Sequence, residues 1–117
     1  MYQSIYSEMV ADTTDTIRSN ERQAFGKSIE LLRLAQDEGR GSRQSVEALL
    51  FTNRLWCFLL DDLASDGNSL PDSLKAGLIS IGIWVLRRTE DIRLGKIDDF
   101  SALIEVSESI SKGLETR

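Results

Sequence analysis

The side chains best suited to chemistry are few, and their spacing does not assemble them. The chain has no histidine, which removes the commonest general base and the commonest metal ligand. A single cysteine, Cys57, lies in the apolar run RLWCFLLDDL. One cysteine without histidine can form neither an internal disulfide nor a thiolate zinc site, and Cys57 reads as a small buried hydrophobe. Three acidic pairs occur, Asp61-Asp62, Glu90-Asp91 and Asp98-Asp99. Neighbouring helical residues point about 100° apart, so the helical pairs do not converge on one ligand. Asp98 and Asp99 suit a helix N-terminus. No phosphate-cradling GxxxxGK[ST] and no GxGxxG is present. The expectation is a protein that is not an enzyme, with no catalytic residue, no cofactor and no metal.

The elements that carry these residues read as helices. Gly39 and Gly41, the turn cluster Asp66-Gly67-Asn68-Ser69 followed by Pro71, and Gly95 punctuate the chain. They divide it into four helical segments, over about 14–38, 43–64, 72–94 and 99–114. In the first, Ile17, Ala24, Phe25, Leu31, Leu32 and Ala35 recur at helical spacing, and Ser28 interrupts the stripe. In the second, Ser42 is the expected cap. Its main stripe is Val46, Leu49, Leu50, Trp56, Cys57, Leu60 and Ala64, with a second of Ala48, Phe51, Leu55, Phe58 and Leu59. Glu47, Arg54 and Asp61, seven residues apart, leave a narrow polar strip. The third carries Leu74, Leu78, Ile81 and Val85 on one face and Ala76, Ile79, Ile83 and Leu86 on nearly the opposite one. The fourth is apolar on one side, through Phe100, Leu103, Ile104, Ser107, Ile110 and Leu114. No strand pattern competes. The sequence therefore predicts an all-α, single-domain bundle of about four helices over 1–117, with an apolar N-terminal arm over 1–12. Helices two and three, apolar on two sides, are expected at the centre, under helices one and four.

At 117 residues one core is feasible without disulfides or metal. The start MYQSIYSEM lacks the basic, apolar pattern of a secretory signal, and no apolar run reaches the about 20 residues a membrane span needs. A cytoplasmic protein without membrane insertion is the expectation. A net charge of −5 disfavours nucleic-acid binding. The nearest basic patch is Arg87, Arg88 and Arg93 with Lys96, which suits the last turns of helix three and is a candidate site for RNA or an acidic partner. Surplus apolar surface is the remaining resource. The candidate partner contacts are Phe51, Leu55, Phe58, Ile79, Ile83, Trp84 and Leu86, with Tyr2 and Tyr6 of the arm beside them. Asn53, within the main stripe of helix two, needs a hydrogen-bond partner. That partner is either the Ser28 hydroxyl or an incoming helix.

Several stretches carry a resemblance. They are the start Met1-Tyr2-Gln3 with Tyr6, ERQAFGKSIELL at 21–32, VEALLFTNRLW at 46–56, DDLASDGNSLPDSLKAGLISIGIWVLR at 61–87 and FSALIEVSESISKGL at 100–114. Together they resemble the FlaF family of flagellar biosynthesis regulators over nearly the whole chain. The resemblance implies a small helical protein needed for flagellin production and filament assembly. It implies a chaperone-like role toward flagellin, association with the post-transcriptional regulator FlbT, and delivery of the client to the flagellar export apparatus. A second reading is control of flagellin translation, with FlbT or on flagellin message, supported in the residues by the arginine cluster alone. A third is a homodimer in which the surplus stripes bury each other.

Overall fold

The computed structural model describes residues 14–115, and side chains from 22 to 113. The arm expected over 1–12, with Tyr2 and Tyr6, lies outside them. The described residues form four helices and no strand: α1 Thr14–Glu38, α2 Arg43–Ala64, α3 Asp72–Arg93 and α4 Ser101–Glu115. The first two have the expected bounds. α4 begins two residues later than expected, because Asp99 caps it from outside the helix. Its carboxylate accepts from the Ser101 backbone N–H at 3.0 Å and from the Ser101 hydroxyl at 2.7 Å.

Local chemistry ends each helix. Gly39 and Gly95 take φ of +97° and +81°, the left-handed region that glycine enters without a Cβ penalty. The Gly39 N–H donates back to the Ala35 carbonyl at 2.8 Å, which closes α1. The Ser42 hydroxyl accepts from the Ser45 N–H at 3.1 Å and caps α2 as expected. Asn68 organises the turn into α3. Its side chain donates to Asp62 at 3.2 Å and accepts from the Leu70 N–H at 3.0 Å, while its carbonyl accepts from the Lys75 ammonium at 2.9 Å.

The core draws on every helix: Phe25, Leu32 and Ala35 from α1, Ala48, Leu49, Leu55 and Trp56 from α2, Val85 and Ile92 from α3, and Phe100 and Leu103 at α4. Phe25 meets the Trp56 indole edge-to-face, with ring centroids 5.7 Å apart. The centre is not the expected pair. α1 packs against α2 and α4, and α3 packs against α2, so α1 and α2 form the middle and α3 lies to one side. The reason is Ser28. It does not interrupt the α1 stripe but lies fully buried, its hydroxyl 2.7 Å from that of Thr52 on α2. Satisfied hydroxyls act as core residues here. The buried face of α2 is consequently Ser45, Ala48, Leu49, Thr52, Leu55, Trp56 and Leu63. That face lies between the two expected stripes and takes residues from both. Val46 and Leu50, of the main stripe, are 64% and 48% exposed, and Cys57 is exposed rather than buried as expected.

Candidate binding groove

Gly82 sets the approach of α3 to α2. A Cβ built there would lie 2.8 Å from Leu60 Cδ2 and 3.0 Å from Trp56 Cε3, so any side chain at this position would force Leu60 or Trp56 to shift. α3 thus meets α2 at Trp56 and Leu60, while α1 meets it at Thr52 and Trp56. The short turn between Ala64 and Asp72 makes α2 and α3 antiparallel neighbours.

The helical step of about 100° per residue then places the other side chains. On α2, Asn53 follows Leu60 around the helix, and Val46, Cys57 and Leu50 follow in turn, away from α1. On α3, Leu86, Ile79 and Ile83 follow from Gly82, away from the buried Val85, Thr89 and Ile92. Because the two helices are antiparallel, both runs turn to the same side of the pair, the side opposite α1. They line an apolar groove. Leu50 and Ile83 are 48% and 46% exposed along it. Asn53 is half-buried in it and accepts a weak bond from the Cys57 thiol at 3.7 Å. The expected bond from Asn53 to Ser28 does not form, because its neighbour Thr52 takes that place.

The structure divides the contacts expected from sequence. Ile79, Ile83 and Leu86 come together on the groove. Leu55 is only 7% exposed and belongs to the core, where no partner reaches it. Phe51 and Phe58 are half-buried on the flank of α2 far from Leu60, so they do not face α3. Trp84 lies on the other flank of α3, with the Arg88 guanidinium 5.0 Å from its ring centroid. The groove instead takes Val46, Leu50, Cys57 and Leu60 of the main stripe, of which Cys57 was expected to be buried. The signal that marks them is the polar strip of Glu47, Arg54 and Asp61, exposed as expected and running beside them.

The basic cluster is not a free patch. Arg93 is bound by Glu90 through two hydrogen bonds, one of 3.0 Å from Nε. That pairing holds the Glu90 carboxyl below its usual range and raises Arg93. Arg88 stacks on Trp84, and Arg87 stays exposed. At the same end of the molecule Gln36 joins α1 to α4. Its amide nitrogen donates to Asp99 at 3.2 Å and its amide oxygen accepts from the Phe100 N–H at 2.8 Å. Asp99 is held below its usual value by the Ser101 hydroxyl first, then by the Ser101 N–H and Gln36, with the Arg88 charge adding a smaller effect.

Among the described residues no group of three or more Cys, Asp or Glu is placed to hold a metal ion, and no helix is long and apolar enough to cross a membrane. Fold and surface together define a small all-helical protein whose α2 and α3 leave large apolar side chains exposed on one side. The sequence profile of the family described as flagellar protein FlaF matches residues 2–114, nearly the whole chain, and the chain belongs to that family. No curated protein and no solved structure gives a significant match.

Proposed function

We propose that this flagellar protein binds unassembled flagellin, laying an amphipathic helix of the client in the α2–α3 groove, and so serves as its export chaperone. The observation that carries this reading is the groove itself. Val46 and Leu50 on α2 and Ile83 on α3 are large apolar side chains left exposed on that one side of the pair, and contiguous apolar surface left exposed marks partner sites. A helix laid in a groove needs such anchors at helical spacing, and Asn53 supplies a polar contact within them. The role requires no catalytic group. It also places the protein in the cytoplasm, where flagellin is made before export.

Control of flagellin translation, through FlbT or on the message, finds less support. Its basic cluster is engaged by Glu90 and Trp84. Direct delivery to the export apparatus would follow from client binding.

The test is a matched pair of variants. Ile83 and Leu34 are equally exposed, at 46%, but Leu34 lies on the outer face of α1, half a turn from Phe25. Ile83→Asp is expected to weaken binding of purified monomeric flagellin by roughly tenfold or more, the loss of one apolar anchor. Leu34→Asp is expected to bind as wild type. Equal binding by both variants would exclude the groove.

A further inference from the structure

The outer face of α2 has a second regularity. Val46, Leu50, Asn53, Cys57, Leu60 and Ala64 recur at alternating spacings of four and three, the seam of a two-stranded coiled coil. Among the described residues α3 touches this seam at Leu60, and no other helix lies along it. Val46, Leu50, Cys57 and Ala64 are all exposed. Glu47, Arg54 and Asp61 form one rim of it, at heptad spacing and with alternating sign.

We propose that a second copy of this chain packs its α2 antiparallel along the seam, with Val46 opposite the copy's Cys57 and Leu50 opposite the copy's Asn53. Charge identifies the occupant. In this register Glu47 of each chain falls beside Arg54 of the other, because both flank the same interval between layers of the seam. Two reciprocal ion pairs result. A parallel pairing sets the same rim against Leu49 and Trp56, which are buried in the core, and makes no such pair. Glu47 already bonds Arg43 at 3.1 Å, but both side chains are exposed and that pair yields readily. Asn53 takes the place where one polar residue in an apolar seam fixes register. Leu86 and Ile83 of α3 border the seam on its other side and widen the apolar contact. The pairing does not depend on the flagellin reading and can fail without affecting it.

Disulfide trapping tests the register. Val46→Cys, in a chain that keeps its native Cys57, is expected to give a covalent dimer on oxidation, linked between positions 46 and 57. Within one chain these positions are eleven residues apart, about 16 Å along the helix, and a disulfide spans less than about 7 Å between Cα atoms. The link must therefore join two copies. Leu34→Cys is the exposure-matched control for random collision. Wild type is expected to stay unlinked, since the two Cys57 residues are displaced by the same eleven positions. In sedimentation, Glu47→Arg is expected to weaken the dimer roughly tenfold by opposing like charges, and Glu47→Arg with Arg54→Glu to restore it. A monomer at millimolar concentration would overturn the proposal. So would 46–57 linkage no greater than in the Leu34→Cys control, or self-linkage of the Val46→Cys, Cys57→Ser variant, which a parallel pair would produce.

Discussion

Thr52 and Ser28 hold the most informative single contact. Their hydroxyls are fully buried, 2.7 Å apart, and join the two central helices. Thr52→Val keeps the shape but strands the Ser28 hydroxyl, and is expected to cost about 1–3 kcal/mol in urea unfolding. Removing both groups, Ser28→Ala with Thr52→Val, is expected to recover much of that loss. The coupling between the two sites would then be the contribution of the hydroxyl pair. Asp99 gives a titration at the same scale. Its folded pKa lies below its ordinary value of 3.8, chiefly through the Ser101 hydroxyl. A carboxylate lowered on folding stabilises the protein above its unfolded pKa, and that contribution is lost as pH falls through the folded value. Stability measured from pH 5 downward should therefore fall less steeply in Asp99→Asn than in wild type. These contacts were not legible in the sequence. A serine within an apolar stripe looks like an interruption until its partner is seen, and an aspartate before a helix shows its position but not its bond to Gln36 on another helix.

At the scale of elements, helix existence and bounds were legible, because glycine, proline and serine act within a few residues of themselves. Ser42 capped α2 and Gly39 closed α1 as their chemistry requires. Which face of α2 turns inward was not legible. Apolar residues nearly surround that helix, so periodicity alone offered two stripes, and the buried Thr52 hydroxyl, paired with Ser28, marks the face between them that turns inward. The α2–α3 contact rests on Gly82, and its sister Gly77 supplies the control. A Cβ at Gly77 meets nothing within 4 Å. Gly77→Ala is expected to stabilise α3 by about 1 kcal/mol through helix propensity. Gly82→Ala gains the same propensity but drives a methyl into Leu60 and Trp56, and overpacking of this kind costs about 1–3 kcal/mol. Opposite shifts in the denaturation midpoint would confirm that α3 sits this close to α2. Equal stabilisation of both variants would show that it does not.

At the scale of the whole molecule, α4, α1, α2 and α3 succeed one another in packing order, and the end of that series leaves α2 covered on one side of α3 and open on the other. The sequence signalled surplus apolar surface on helices two and three, and the structure locates part of it. Ile79, Ile83 and Leu86 were legible as one stripe because their spacing is regular. Their partners on α2 were not, since Val46, Leu50 and Cys57 read equally well as core. A flagellin helix and a second copy of the chain would occupy the same groove, so each is expected to displace the other, and added flagellin should dissociate the dimer in sedimentation. The most direct measurement of the central claim is photo-crosslinking to monomeric flagellin from a reactive group carried at position 83, compared with one at position 34. The groove predicts a crosslinked flagellin adduct from position 83 and none from position 34. Adducts of equal yield from the two positions, or from position 34 alone, would contradict it.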